Sequence, residues 1–308
     1  MKKTPTSAEI SELFDNTDPN VVWDEATDVI RRINPAYDFT LVEKVYKDVL
    51  RMFYGEFPGY CAIKTLYHDL SHTLEVFMCG VRLMHGVHRS GDHLTDEEIT
   101  LMMLAILMHD IGYAQRRGED FGTGAQFTQT HVQRGVEFME HYFGERMLPS
   151  DILVDVKGMI LGTEHFRPFT QIDFATERAR MLARIVATAD ITGQMADRKY
   201  LEKLLFLFHE FKEAQFGNYQ NMFDLLSKTN CFYQVTREKL DGVLDGVYRK
   251  LEFHFEDTLG VRRNYYLESI EKNIVYLAKV VSQGEDELFT MLKRNGIAES
   301  AGAIRRLV

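Results

Sequence analysis

The chain is poor in cysteine, in proline and in positive charge, and each shortage removes a class of protein. Its three cysteines, Cys61, Cys79 and Cys231, are too scattered for a disulfide framework or a thiolate cluster, which fits a reducing compartment. Lys and Arg number 36 against 46 Asp and Glu, a net charge of -10. That sign argues against large nucleic acids as partners, since they are gripped by a basic footprint. No stretch approaches the roughly 20 apolar residues of a membrane span, and the opening from Met1 to Glu9 has no apolar run for export. A cytoplasmic protein without a membrane partner is expected.

With only 6 prolines, little interrupts helix formation. Apolar residues recur at three- and four-residue spacing, as in Leu41, Val45, Val49, Met52 and in Ile270, Ile274, Leu277, Val281, while strand-like alternation is scarce. The chain reads as all-α. Thr95 with Glu98 makes a capping box that starts a helix at about residue 96 and runs it to about residue 110. Loops are expected at 89–94, 116–126 and 166–172, the second being Gly-rich and a candidate lid or a plain connection. Leu201 to Phe216 reads as a helix buried on more than one face. Further helices are expected at Thr236 to Phe253 and Arg262 to Val281. The division expected is 1–59 as N-terminal helices, 60–215 as the core and 216–308 as a C-terminal helical extension of the same domain. A homodimer through the C-terminal helices is possible on this reading.

Chemistry is concentrated between Tyr67 and Asp190, where His68, His72, His109, Asp110, His131, His165 and Asp190 follow in order. The apolar run Leu104 to Met108 ends in His109-Asp110 and then Ile111-Gly112. A carboxylate and an imidazole buried there without partners would cost several kcal/mol, roughly the penalty for uncompensated polar burial. A divalent metal could compensate them; an isolated His-Asp pair could also be satisfied by backbone groups or a salt bridge. His68 and His72 are four apart, so one helix would carry both rings on one face. His131 falls in the first turn of an amphipathic helix, His165 at a helix end, and Asp190 within an apolar helical segment. Any one of these could be structural; five sites in one ordered series point to a buried centre for two metals. By contrast His85, His88 and His93 are expected to be exposed, and His141, His209 and His254 to pack at core edges.

The pattern His72, His109-Asp110, Asp190 resembles the HD superfamily of metal-dependent phosphohydrolases. The stretch YHDLSHTLEV is similar to the first metal motif of cyclic-nucleotide phosphodiesterases, and the segments HDIG, THVQRG, GTEH and ARIVATAD resemble the HD-GYP branch. The resemblance covers residues 60 to 215 and implies an HD-domain, phosphodiesterase-like helical bundle with additional C-terminal helices. It further implies that His72, His109, Asp110 and Asp190 bind one metal, that Asp110 bridges, that His131 and His165 bind the other, and that His68 protonates a leaving group. The Gly-Tyr-Pro signature of the HD-GYP branch is replaced by Phe166-Arg167-Pro168, and the lysine that branch carries after its doublet is missing from Ile111 to Gln115.

Imidazole and carboxylate donors accept Mn, Fe, Mg, Zn, Co or Ni. Two such ions roughly 3.5 to 4 Å apart would activate water and clamp phosphoryl oxygens, with His68 and Asp110 as catalytic groups. The substrate expected is a small phosphorylated, nucleotide-like molecule; bound metals reverse the local field and make an acidic chain compatible with it. Arg116, Arg117 and Arg167 are candidate phosphate contacts or simply a solvated basic patch. Gln194 is a candidate for hydrogen bonding to a base edge. Myo-inositol oxygenase and its relatives hold a di-iron centre with ligands in the same order, so an oxygenase remains the alternative. A sensor that keeps the fold without catalysis is the third reading.

Overall fold

Helix α3 (Leu70–Arg89) organises the molecule, because it is buried from His72 to Val87 with no polar face turned to water. In the computed structural model, which describes residue 10 and residues 13–304 except 120 and 166, side chains are not described at 145–147, 151, 295, 299 and 304. Around α3 pack α1 (Pro19–Arg31), α4 (Asp96–Met108), α7 (Glu177–Ala196) and α10 (Leu251–Leu259). The remaining helices are α2 (Thr40–Phe53), α5 (His131–Met147), α6 (Ser150–Thr163), α8 (Tyr200–Glu213), α9 (Met222–Asp241), α11 (Tyr265–Gln283), α12 (Leu288–Met291) and α13 (Ile297–Ile304). Among the described residues there is no β-strand, only an isolated bridge between Tyr60 and Arg116. The all-α expectation therefore holds, and no helix among the described residues is long and apolar enough to cross a membrane.

Local sequence accounts for the arrangement. Thr95 accepts from the Glu98 backbone N–H and Glu98 returns the bond, so the capping box starts α4 at the expected place. The helix is apolar nearly all round, which commits it to the interior. Small residues set how closely the central helices approach. A Cβ on Gly193 of α7 would lie 3.1 Å from the Glu75 carbonyl oxygen and from Val76 Cα of α3. This contact brings the start of α3 against the end of α7. One apolar cluster runs from Phe14 to Ala301, so the N-terminal, central and C-terminal segments pack into a common core.

Four expectations need correction. His85 is not exposed but fully buried on α3, its Nδ1 3.0 Å from Nδ1 of His254 on α10. The polar loop beyond it masked a helix enclosed on every side. His88 is half-buried, whereas His93 is exposed. His141 lies on the open face of α5 rather than at a core edge. The helix expected over Thr236 to Phe253 is divided, because Gly242 ends α9 and Asp245 and Gly246 take left-handed backbone (φ 58° and 61°) before α10. The segment Met1 to Glu9 and Phe166 lie outside the described residues.

Candidate metal centre

Three helix ends and one helix interior bring the series together. Asp69 accepts a hydrogen bond from the His72 N–H and caps α3, so His72 sits in its first turn. This separates His68 from the helix: the two rings do not share a helix face, as their spacing suggested, but lie 5.5 Å apart across the cap. His109 closes α4 and Asp110 opens the short turn Ile111–Tyr113. Asp190 projects from α7.

The donors converge. His72 Nε2 and His109 Nε2 are 3.4 Å apart, and Asp110 Oδ2 is 3.1 Å from the first and 3.2 Å from the second. Asp190 Oδ1 completes the group at 3.7 and 3.6 Å. His109 Nδ1–H donates to the Ile106 carbonyl at 2.7 Å, which fixes the tautomer and turns the Nε2 lone pair inward. Asp110 Oδ2 is buried and receives no hydrogen bond. His72, His109 and Asp110 bring donor atoms close enough together to hold a metal ion, with Asp190 beside them. Electrostatics agree: burial opposes a charged His109 ring, yet the Asp110 carboxylate and then Asp190 outweigh it and push His109 up to about 9. Asp110 is held well below the usual carboxylate range against its own burial, mainly by His109 and His68. A metal would supply permanently the positive charge that a proton supplies here.

The other oxygen of Asp110 points elsewhere. Its Oδ1 lies 3.4 Å from His131 Nε2, and His131 Nδ1–H donates to the Thr128 carbonyl at 2.7 Å. Asp110 thus has one oxygen on each side, the disposition of a bridging carboxylate. His165 follows the end of α6 and lines the same cavity, with its ring 4.7 Å from that of Phe232. Burial, with the charge of Lys239 adding to it, pulls His165 down to about 4.

Tyr113 stacks on both His68 and His131, with centroids 4.6 and 4.4 Å away, and the two imidazoles lie 6.0 Å from each other. His68 Nδ1–H donates to Glu210 Oε2 at 2.6 Å, and Glu210 Oε1 accepts from the Tyr67 and His68 backbone N–H groups. Burial disfavours the charged His68 ring, but Glu210, then Asp110 and Asp190, raise its pKa overall. Glu210 of α8 gave no sign in the sequence, since its partner is 142 positions away.

A cavity of about 380 Å³ opens from these groups. Part of its wall is apolar and aromatic, built from Leu207, Phe211, Phe216, Tyr219 and Phe232 of α8, α9 and their connection. The C-terminal helices therefore form part of the cavity wall, although residues after 216 show no motif. Gln194 lines the cavity, but its amide is engaged: Oε1 accepts from Tyr67 OH at 2.6 Å and Nε2 donates to Asp190 O and Oδ1. It orients Asp190 rather than offering a free edge to a base. Arg116 and Arg117 are exposed and Arg167 is paired with Glu164; none of the three lines the cavity. Arg134, unnoticed in the sequence, ties the Gly112 and Ala114 carbonyls to α5. The Gly-rich loop is laced by Gln115, Thr123 and Gln126, with Thr123 donating to Glu213 of α8.

A family model described as Npun_R2479-like matches residues 30–119 and 115–240. The chain belongs to the Npun_R2479-like family. The match spans every His and Asp of the series and the cavity-lining part of α9. No curated protein matches the chain.

Proposed function

We propose that this Npun_R2479-like protein is a metal-dependent phosphohydrolase of the HD type, acting on a phosphodiester or phosphomonoester of a small nucleotide-like molecule. The observation that carries the reading is Asp110: one oxygen is unsatisfied among three other inward donors, and the second faces His131. His72, His109, Asp110 and Asp190 would hold one divalent ion; Asp110, His131 and His165 would hold the other. Such ions acidify water and draw charge from phosphoryl oxygens.

The residues of the chain do the rest. Glu210 fixes His68 with its proton on Nδ1 and leaves Nε2 on the opposite edge of the ring. A charged His68 can then give its Nε2 proton to a departing oxygen and remain a neutral ring still bonded to Glu210. Tyr113 packs against both His68 and His131, and Gln194 steadies Asp190. The aromatic wall of the cavity suits a planar, weakly polar group such as a base. His68 with its carboxylate is what favours hydrolysis over the di-iron oxygenase reading, because a poised proton donor beside the metals has an evident use in releasing an alkoxide.

The test pairs elemental analysis of protein purified without added metal with 4-nitrophenol release from bis-(4-nitrophenyl) phosphate after Mn, Mg or Fe supplementation. Metal bound and hydrolysis observed support the proposal. Two irons without hydrolysis would favour the oxygenase, and a protein that binds no metal under any supplementation would end both readings. His68→Ala should keep its metal and lose about 10²- to 10⁴-fold in turnover, the usual effect of removing an acid catalyst.

A further inference from the structure

Two kinds of residue line the cavity: the His and Asp donors, and an apolar set made of Leu207, Phe211, Phe216, Tyr219 and Phe232. They meet where the Phe232 ring lies 4.7 Å from that of His165. The aromatic rings also touch one another, Phe211 meeting Phe216 at 5.1 Å and stacking on Tyr219 at 5.6 Å, 17° from parallel. None of these four rings is fully enclosed by the protein, and Phe232 is 38% exposed. Ring surface left open on a cavity wall is covered most favourably by another apolar group.

The same wall is short of positive charge. No arginine lines the cavity among the described residues, and Lys228 is the one lysine. Its ammonium is already met by Asp224 Oδ2 and the Asn218 carbonyl, both at 2.8 Å, and sits over the Tyr219 ring. Against it stand the carboxylates of Asp110, Glu164 and Asp190. A phosphoryl group seated on metal ions at the His and Asp donors would have its charge met there. A second or third phosphate would find no unpaired cation of the chain on the wall, and would lose water against carboxylates and apolar rings. Hydrogen-bond donors are largely spent as well. Thr128, Thr163 and Thr229 give their hydroxyls to the carbonyls of Ala125, Ile160 and Leu225, and Gln194 is held at both ends of its amide. Of the wall threonines, Thr236 keeps its hydroxyl unbonded.

We infer that the ligand of this cavity is a compact ester with a single phosphoryl group on an apolar, ring-bearing body, gripped by contact with the α8 and α9 aromatics, and that nucleoside di- and triphosphates are excluded. The phosphoryl half of this statement rests on the phosphohydrolase reading; the apolar half rests on the wall alone. A volume of about 380 Å³ agrees, being near the lower end of small-molecule sites, roughly 300–1,000 Å³.

Phosphonates, which resist hydrolysis, are the probes, measured by equilibrium dialysis against the full chain with manganese in excess. Phenylphosphonate should bind about 10- to 100-fold more tightly than methylphosphonate, the gain for covering one ring. Propylenediphosphonate, with a second anion in place of the ring, should bind no more tightly than methylphosphonate. Phe211→Ala and Phe232→Ala should each reduce the phenyl preference by about 2- to 10-fold, the worth of one aromatic pair, with methylphosphonate affinity and manganese content unchanged. Phe232 is exposed enough that its removal leaves the core intact, so a failure of Phe211→Ala to fold does not spoil the test. The inference is overturned if phenylphosphonate binds no better than methylphosphonate, the absence of binding by both included. It is equally overturned if propylenediphosphonate binds more tightly than methylphosphonate, or if the alanine variants keep the wild-type preference. A phenyl preference in a protein that hydrolyses no ester would keep the apolar body and remove the hydrolase reading. Hydrolysis of bis-(4-nitrophenyl) phosphate without a phenyl preference would do the reverse.

Discussion

Two buried charge clusters lie a turn apart on α3, and they are compensated in opposite ways. Around Lys203 the protein supplies both signs: the ammonium meets Glu75, Asp197 and the Ser71 hydroxyl. Burial first, and then Asp197, hold the Glu75 carboxyl well above the usual range against the pull of Lys203, so a shared proton balances what the lysine does not. Around His72, three residues earlier, the protein gathers ring nitrogens and carboxylate oxygens without a lysine or arginine against them among the described residues. Two ring nitrogens and two carboxylate oxygens face inward, and Asp110 Oδ2 receives nothing. The first arrangement sets opposite charges from within the chain against each other and fastens α3 to α7 and α8. The second gathers acceptors around a point where an outside cation could sit. Burial alone does not distinguish the two clusters; the sign of the charges each brings together does.

Breaking the Lys203 cluster should have the largest effect on stability. Lys203→Met leaves two carboxyl groups buried without their cation. It should cost about 3–5 kcal/mol, the range for removing one member of a buried ion pair, measured by urea unfolding. The loss should be the same with and without added metal, because the lysine answers to the fold. A loss that disappears on adding manganese would show that the two clusters are not independent.

Asp110→Ala should behave in the contrary manner. In wild type, manganese at about 100 times its dissociation constant should add about 2.7 kcal/mol by linkage; in the variant that increment should vanish. Without metal, the wild type should also weaken as pH rises. His109 has a folded pKa of about 9, raised above its unfolded value, so the stability it contributes is full below about 6.5 and is lost as pH climbs through about 9. Metal-loaded protein should show no such decline, since the ring is then neutral and bound. A pH-independent metal-free protein would mean that His109 carries no extra proton.

These contrasts also mark what the sequence could convey. Local signals were legible: the Thr95 capping box, the apolar run into His109 and the periodicity of the central helices all reappear where expected. The convergence of His72, His109, Asp110, His131 and Asp190 in space follows their order in the sequence. What stayed hidden depends on contacts between distant positions. Glu210 behind His68, Lys203 between Glu75 and Asp197, and the α9 face of Phe232 and Thr236 have no local pattern. The partners of Gln194 were hidden for the same reason, since only the fold places Tyr67 and Asp190 on its two ends. His85 looked exposed because its neighbours in sequence are polar, while its neighbours in space are not.

The smallest effect expected is also the most specific to the site. A Cβ on Gly112 would stand 1.8 Å from the His131 carbonyl oxygen and 2.7 Å from the Gly135 nitrogen, both backbone atoms that cannot rotate away. Gly112→Ala must therefore push the turn after Asp110 off the first turn of α5, at about 1–3 kcal/mol for overpacking. Asp110 and His131 ride on the two parts being separated, so their 3.4 Å approach should open and metal affinity should fall along with stability. Gly118 gives the control. It has a left-handed φ of 97° but open space around its Cα, so alanine there strains only the loop by about 1 kcal/mol and should leave metal affinity unchanged. Equal metal binding by the two variants would mean that the close packing of Gly112 serves the core and not the alignment of Asp110 with His131.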